Sequence, residues 1–167
     1  MNTIAITYHN TPAGNLILGS LNNSLCLCDW VERKNRDQID RRLKKYFNAE
    51  YQEISSDVTT KAKQQIDEFF AGSRTTFNLP LSFAGTDLQQ KTWQALTTIP
   101  YGQTASYLQL ATSLGTPKAV RAIANANGAN ALSLFVPCHR VIGSNGKLTG
   151  YAGGLTAKQI ILNTEQK

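Results

Sequence analysis

Cysteine is scarce in this chain of 167 residues, which has only Cys26, Cys28 and Cys138. An odd number of cysteines does not suit a disulfide framework, so we expect reduced thiols. Long apolar runs are also absent, and no stretch reaches the length that crossing a bilayer requires. The first residues, MNTIAITYHN, lack the basic and then apolar pattern of a secretion signal. We therefore expect a soluble, cytoplasmic protein with no membrane partner.

Acidic residues are nearly missing from the second half. Residues 86–167 contain seven Lys and Arg against two acids, a net charge of +5. Residues 1–85 contain ten Lys and Arg against nine acids, a net charge of +1. An excess of positive charge concentrated in one half favours a polyanionic partner for that half, although a modest positive charge also serves solubility.

The first 80 residues have the patterns of a small α/β domain. TIAITYH alternates as a strand does, and NLILGSLNNSLCLCDW predicts a hairpin that turns at Asn22–Asn23. Its second strand is predicted to have two faces, one with Leu25 and Leu27, the other with Cys26, Cys28 and Trp30. Helical spacing follows in DQIDRRLKKYF, with Ile39, Leu43, Tyr46 and Phe47 as its apolar face, and in TTKAKQQIDEFFAG. We assign residues 1–80 to this domain and interpret GSRTTFNLPLSFAG as a linker.

Three helices are predicted early in the second domain, residues 81–167. Thr86 suits the N-cap of DLQQKTWQALTTI, and Thr104 suits that of ASYLQLATSL. Pro117 falls at the first position of KAVRAIANAN, where its missing N–H donor is harmless. The last two helices are short and joined by a turn containing Gly115, which is the outline of a helix-turn-helix.

Short strands and a final helix complete this domain. LSLFV and RVIG are predicted strands, and Asn145–Gly146 suits a tight hairpin turn. A hairpin after a helix-turn-helix indicates the winged variant, and Thr156 is expected to open the last helix, AKQIILNTE. The whole chain is thus predicted to be an α+β protein with a C-terminal winged helix-turn-helix domain.

Cys138 stands in unusual surroundings, PCHR. Most buried cysteines only fill space, and Cys26 and Cys28 fit that description inside an apolar strand. A thiol reacts as thiolate, and the adjacent His139 and Arg140 are expected to lower the thiol pKa. We therefore favour a nucleophile over a packing residue at this position.

The thiol could also serve as a metal ligand or as the nucleophile of a hydrolase. A zinc site needs four ligands at recognisable spacing, and the chain offers only Cys26 and Cys28, with His9 and His139 distant in sequence. We predict no metal site. A cysteine protease or thioesterase would need an oxyanion hole and a substrate cleft, which nothing in the sequence marks.

The motifs of the second half resemble those of a known family. PCHRVIGSNGKLTGYAGG follows IPYGQTASYLQLA and TPKAVRAIANANGAN at matching distances, as in the O6-alkylguanine-DNA alkyltransferases. The resemblance is strong over residues 83–165, and TPAGNLILGS and LCLCDW extend it into the first half. It implies a ribonuclease-H-like N-terminal domain before the winged helix-turn-helix domain. It also implies transfer of an alkyl group from O6 of guanine in double-stranded DNA to Cys138.

The resemblance assigns catalytic roles around the thiol. His139 would act on Cys138 through a water molecule, and Glu165 would orient His139. Asn130 would hydrogen-bond the backbone and hold the helix-turn-helix against the cysteine loop.

The resemblance also implies how DNA is held. Arg121 would enter the base stack in place of the flipped base, and Tyr107 would crowd the adjacent phosphate and donate to the guanine. Small residues on the same helix would allow close approach to the minor groove, namely Ala119, Ala122, Ala124 and Ala126. The base pocket would be formed by Val141, Tyr151, Ala152, Gly153, Gly154 and Lys158.

Four residues depart from the usual family pattern. Ala131 replaces a common proline and predicts a less rigid loop, while Ala124 replaces a common glycine and narrows the clearance to DNA. Ala152 replaces a frequent serine, which removes a side-chain contact to the guanine oxygen. Ile160 replaces a frequent tryptophan.

The expected product is an alkyl thioether. It has no electrophilic carbonyl for water to attack, so we expect a monomer that reacts once and is spent. No cofactor is expected, because the lesion itself donates the alkyl group. Two alternatives remain at this point, a lesion-binding module that transfers nothing and a winged-helix regulator whose thiol is incidental or redox-sensing.

Overall fold

Strands dominate the first half of the chain and short helices dominate the second. The computed structural model describes residues 1–167. The first half contains β1 (Asn2–Thr11), β2 (Gly14–Leu21), β3 (Ser24–Trp30), α1 (Arg36–Phe47), β4 (Ala49–Glu53) and α2 (Asp57–Phe70). The second contains α3 (Asp87–Leu96), β5 (Ala105–Ser106), α4 (Tyr107–Ser113), α5 (Val120–Gly128), β6 (Val141–Ile142) and α6 (Leu155–Thr164). This mixture confirms the predicted α+β class.

The four strands of the first half form one sheet in the order β3-β2-β1-β4. The predicted hairpin between β2 and β3 is confirmed. Asn22 and Asn23 have φ angles of 50° and 65°, as the two central residues of a type I′ turn require. The parallel edge strand β4 was not predicted, because AEYQE buries only Ala49 and shows no apolar alternation.

The predicted faces of β3 were wrong because a β-bulge interrupts the alternation. Leu25 and Leu27 pair with adjacent residues of β2, so Cys26 is the extra residue. One extra residue exchanges the two faces of the strand. Leu25 therefore packs with Cys28 and Trp30 in the larger hydrophobic core. Cys26 and Leu27 pack in the smaller core on the other side, so the two cysteines of this strand do not converge.

Helices of the first half cover the sheet with the apolar faces that the spacing predicts. In α2, a capping box joins Ser56 and Thr59 at the N-terminus. The buried residues that were predicted for these helices are Ile39, Leu43, Ala62, Ile66 and Phe69. Tyr46 is an error in that prediction, because it lies 52% exposed at the end of α1.

Helix starts in the second half follow local hydrogen bonding. Thr86 caps α3 as predicted. Thr104 does not cap α4, because the chain first forms β5, and Ser106 at the end of that strand is the N-cap. Thr156 does not open α6, which begins one residue earlier after Gly154 and has no side-chain cap.

The wing is a loop rather than a hairpin. LSLFV is not a strand: Leu132 makes a single bridge to Cys28, and the chain then turns at Leu134, whose φ is 73°. The other predicted strand, β6, is only two residues long and pairs in parallel with β5. Residues 143–150 form a loop, closed by a hydrogen bond of 3.0 Å from Gly143 N–H to the Lys147 carbonyl.

The outer edge of β3 is covered by the predicted linker and by the start of the loop that leads to Cys138. Leu25 N–H donates to the Pro80 carbonyl at 2.8 Å and Ser82 N–H donates to the Leu25 carbonyl at 2.9 Å, while Cys28 N–H donates to the Ala131 carbonyl of the second half at 2.8 Å. The larger core also contains residues of both halves, from Leu16 to Ile161. The two halves are therefore packed together, and a domain boundary at residue 80 stays a prediction. No helix has the length and apolar character that a membrane crossing needs.

Candidate active site

Cys138 begins a 3-10 turn, Cys138–Arg140, that leads into β6. The residue is only 4% exposed. Its N–H donates to the Val136 carbonyl at 2.7 Å, and Arg140 N–H donates to the Pro137 carbonyl at 3.0 Å. Leu134, four residues earlier, is a bulky residue held at positive φ by burial, which is a strained conformation typical of functional loops.

Glu165 joins the two residues that follow the thiol. The C-terminus of α6 brings its carboxylate to His139, whose Nε2 lies 2.8 Å from Oε2. Arg140 approaches the same carboxylate side-on, with Nε 2.9 Å from Oε1 and Nη2 2.8 Å from Oε2. All three side chains are buried. Such a bidentate ion pair fixes both the orientation of the Glu165 carboxylate and its distance from the Arg140 guanidinium.

These contacts determine the charges of Glu165 and His139. Burial alone would raise the pKa of Glu165, but the hydrogen bonds from His139 and Arg140 outweigh it and lower that pKa to about 2. Burial lowers the pKa of His139, and Glu165 offsets this only in part. At neutral pH the carboxylate is therefore charged and the imidazole neutral. Nε2 must carry the proton that Glu165 accepts, which leaves a lone pair on Nδ1.

The Nδ1 atom of His139 is buried and has no protein partner. Buried polar atoms of this kind are uncommon and call for an explanation, such as a catalytic role. A neutral imidazole that is anchored at one nitrogen and free at the other is poised to take a proton.

The pKa of the Cys138 thiol is raised rather than lowered. Burial is the main cause; the Asn130 amide, Lys158 and Arg33 act in the opposite direction, and Asp29 adds to the increase. The prediction that His139 and Arg140 lower this pKa is wrong for the resting protein, because both side chains turn to Glu165. The thiol is therefore protonated at rest and needs a base.

Asn130 holds the loop that precedes the thiol. Its Nδ2 donates to the Val136 carbonyl at 2.9 Å, and its Oδ1 accepts from Leu132 N–H at 2.9 Å. The same Val136 carbonyl also accepts from Cys138 N–H. The buried side chain of Asn130 is thus linked to Cys138 through one shared acceptor, the Val136 carbonyl.

Lys158 ties the thiol turn to the loop before α6. It is fully buried, and its Nζ donates to the carbonyls of Val141 at 2.7 Å and Thr149 at 2.9 Å. Burial lowers its pKa. A lysine at this position therefore acts as a cross-link between two backbone segments, and it also places a cation near Cys138.

The loop Gly150–Gly154 lines a cavity of about 700 Å³. Gly153 lies flat on the Trp30 ring: a Cβ at that position would come within 2.8 Å of two ring atoms, which no real side chain tolerates. Tyr151 meets the same ring edge-on, with centroids 5.9 Å apart. Ala152 and Gly154 complete this wall. Val141, Lys158 and Cys138 do not line the cavity.

Most of the side chains predicted to meet DNA lie on the surface of α4, of α5 or of the 3-10 turn Pro117–Ala119 just before α5. Arg121 and Ala122 are exposed, and Arg121 makes no hydrogen bond or ion pair. Tyr107 begins α4, and its hydroxyl accepts from the Thr149 hydroxyl at 3.2 Å. Ala119 and Ala124 are partly buried. Ala126 was wrongly placed with this group, because it is 3% exposed and faces the core.

Sequence reasoning missed the residues that the first half contributes. The other wall of the cavity is formed by Ala13–Asn15, Trp30 and Glu32–Asn35. A charged run, ERKN, after an apolar strand was the only signal available. It does not indicate a pairing with residues more than a hundred positions away.

Family models match both halves of this chain. The 6-O-methylguanine DNA methyltransferase, ribonuclease-like domain, matches residues 4–83. The 6-O-methylguanine DNA methyltransferase, DNA binding domain, matches residues 87–167. The chain belongs to the 6-O-methylguanine DNA methyltransferase family. The predicted resemblance is confirmed, as is the order of a ribonuclease-like unit before a DNA-binding unit.

Members of the family from bacteria and archaea align with almost the whole chain. The constitutive methylated-DNA–protein-cysteine methyltransferase of Bacillus subtilis is 46% identical over 166 residues, covering 96% of this chain and 94% of the relative. That of Methanosarcina barkeri is 38% identical, covering 93% of each.

Solved structures of the family share the fold. The O6-methylguanine methyltransferase of Mycobacterium tuberculosis superimposes with a TM-score of 0.82 at 37% identity, covering 98% of this chain and 93% of that one. A structure from the same organism in complex with DNA gives a TM-score of 0.81 at 36% identity, covering 98% and 92%.

Proposed function

We propose that this protein repairs O6-alkylguanine in double-stranded DNA by moving the alkyl group to Sγ of its own Cys138. The observation that carries the proposal is the buried pair of His139 and Glu165 beside the thiol. His139 is neutral, is anchored to Glu165 at 2.8 Å, and keeps a partnerless Nδ1. Family membership supplies the substrate, since the relatives are named for methylated DNA and a protein cysteine.

His139 and Glu165 supply the base that a buried, protonated thiol needs. His139 takes the thiol proton at Nδ1 through a water molecule, and Glu165 stabilises the imidazolium that forms. The thiolate then attacks the alkyl carbon, so that an S–C bond forms as the C–O6 bond breaks. The electrons of that bond stay on guanine, which takes up one proton in exchange for the alkyl group. We assign donation of that proton to Tyr107, whose hydroxyl accepts from the Thr149 hydroxyl and so keeps its own proton free to be donated.

The reaction is stoichiometric in this proposal. A dialkyl thioether offers water no electrophilic carbonyl, so Cys138 is not regenerated. Cys28, the other thiol of the larger core, is fully buried, and burial raises its pKa well above the ordinary value. It is therefore a poor acceptor for the alkyl group.

The DNA is bound by α5 and the positively charged second half. Seven cations against two acids favour a polyanion on this half. The target base must leave the duplex to reach a thiol that is 4% exposed, at a cost of a few kcal/mol. Arg121 projects from α5 without a protein partner, and we assign it to the space that the base leaves. The pocket for the base is assigned to Val141, Lys158 and the side of the loop Tyr151–Gly154 that faces Cys138. It is distinct from the cavity on the Trp30 side of that loop, which neither Cys138, Val141 nor Lys158 lines.

Replacing Arg121 by alanine is expected to slow repair of a duplex lesion by about 10- to 100-fold. Flipping the base costs a few kcal/mol, and the variant lacks the side chain that offsets part of this cost. Reaction with the free base O6-benzylguanine, which needs no flipping, should change by less than about threefold. The measurement is the single-turnover rate constant on both substrates. Lys118→Ala, which removes an exposed cation from the turn just before α5, is the matched control.

Equal slowing of Arg121→Ala on duplex and free base would remove the flipping role. A monomeric state and a cytoplasmic location remain predictions. Tight binding of lesion DNA without any change to the protein would favour a lesion-binding module instead.

A further inference from the structure

Two arginines of the first half bind three successive carbonyls of the second half. Arg33 Nη2 donates to the Gly128 carbonyl at 2.8 Å, and Arg33 Nη1 donates to the Asn130 carbonyl at 3.3 Å. Arg42 Nη2 donates to the Ala129 carbonyl at 2.9 Å. These carbonyls belong to the last residue of α5 and the two residues after it, where a helix leaves acceptors without intrahelical partners and favours positive charge. The first half therefore caps the helix that we assign to DNA.

Arg33 is held rigidly from its own side. Asp29 is fully buried, and its Oδ2 accepts from Arg33 Nη1 at 2.9 Å, while Arg33 Nε donates to Oδ1 of Asn35 at 2.8 Å. Arg36 also pairs with Asp29 at 3.0 Å but reaches no residue of the second half. Burying an ion pair contributes little net stability, so its retention favours a role in fixing geometry.

The carbonyl that Arg33 binds belongs to Asn130, the residue that orders the thiol loop. From Asn130 the hydrogen bonds continue to Val136 and from Val136 to Cys138. The edge of β3 adds a direct link, since Cys28 N–H donates to the Ala131 carbonyl at 2.8 Å. In the other direction, α5 leads back to the exposed Arg121. One junction, residues 128–130, therefore connects the DNA-binding helix with the nucleophile.

We propose that Arg33, held by Asp29, is a positioning residue for alkyl transfer. It fixes the junction between α5 and the thiol loop, and so sets where Sγ lies relative to a base that α5 holds out of the duplex. The N-terminal half is then part of the catalytic geometry and not only a support. This inference rests on the proposed function.

The test compares the double variant Asp29→Asn/Arg33→Met with Arg36→Met. The double variant removes both charges, so that no lone buried ion remains. Arg36→Met also loses ion pairs, with Asp29 and Asp40, but touches nothing in the second half. Single-turnover methyl transfer from an O6-methylguanine duplex gives two numbers, the fraction of protein that reacts and the rate constant of that fraction. If Arg33 and Asp29 have only a structural role, the double variant lowers the fraction of protein that reacts. If they position the thiol loop, it lowers the rate constant of the fraction that reacts.

We expect the rate constant of the double variant at saturating DNA to fall by about 10- to 100-fold, because misplacement by 1 Å can cost that much. The thiol should still need a base in the double variant, because burial, the main cause of its raised pKa, is unchanged and the two lost charges act on that pKa in opposite directions. Arg36→Met should react within about twofold of the unmodified protein. A double variant that reacts as fast as Arg36→Met would overturn the inference.

Amide hydrogen exchange separates this inference from the proposed function, because it needs no substrate. Residues 128–136 should exchange about tenfold faster in the double variant than in Arg36→Met. Unchanged exchange there would overturn the positioning role even if methyl transfer occurs. If exchange is faster in the double variant but the unmodified protein transfers no methyl group, the result supports the role of Arg33 at the junction and counts against the proposed function alone.

Discussion

Replacing Cys138 by alanine is expected to abolish alkyl transfer while leaving DNA affinity within about threefold of the unmodified protein. The thiol is the only acceptor in the proposed reaction, and its 4% exposure means that it adds almost nothing to the DNA-binding surface. Transfer is measured with a labelled O6-methylguanine duplex, and affinity with the same duplex by fluorescence anisotropy.

Cys26→Ala is the matched control for removing a buried thiol. Cys26 is 1% exposed but packs in the smaller core, on the opposite side of β3 from the site. Its transfer rate should stay within about twofold of the unmodified protein. Residual transfer by Cys138→Ala would mean that another residue accepts the alkyl group.

Replacing Glu165 by glutamine is expected to slow alkyl transfer by about 100- to 10,000-fold, the range found when a catalytic base loses its charged anchor. The amide still accepts a hydrogen bond from His139 but no longer stabilises the imidazolium that forms during thiol deprotonation. It also leaves the buried Arg140 without its ionic partner, which should cost about 3–5 kcal/mol of folding free energy. Single-turnover kinetics and denaturant unfolding measure the two effects.

Asp87→Asn controls for removing an acid, because Asp87 is the only other acid of the second half and lies in the exposed first turn of α3. It should cost no more than about 1 kcal/mol and leave transfer unchanged. If Glu165→Gln transfers at a rate close to that of Asp87→Asn, then Glu165 has no part in the chemistry.

Acid stability follows from the same carboxylate. The folded pKa of Glu165 is about 2, below its ordinary value of about 4.5, so its contribution to stability is complete above that ordinary value. The contribution is lost as the pH falls from about 4.5 towards 2. Glu165→Gln should lack this part of the acid dependence.

Local patterns predicted the elements that local chemistry determines. Asn22–Asn23 marked the β2–β3 turn because asparagine tolerates positive φ, and Thr86 marked the start of α3 because its hydroxyl satisfies a free N–H. The PCHR motif located the thiol because the key residues are adjacent in the chain. In each case the decisive interaction spans only a few residues.

Long-range contacts decided what the sequence did not predict. The bulge at Cys26 depends on the pairing of β3 with β2, and the thiol pKa depends on burial and on where Arg140 turns, not on its adjacency to Cys138. Arg33 and Trp30 meet the second half only after folding, across about a hundred residues of sequence. No spacing rule reports such contacts.

In the proposed reaction the alkyl group ends on the sulfur of Cys138. The direct measurement is peptide mass spectrometry after incubation of the protein with an equimolar O6-methylguanine duplex. We expect one added methyl group, on the peptide that contains Cys138, in proportion to the guanine restored. Restored DNA beside a Cys138 peptide of unchanged mass would contradict it.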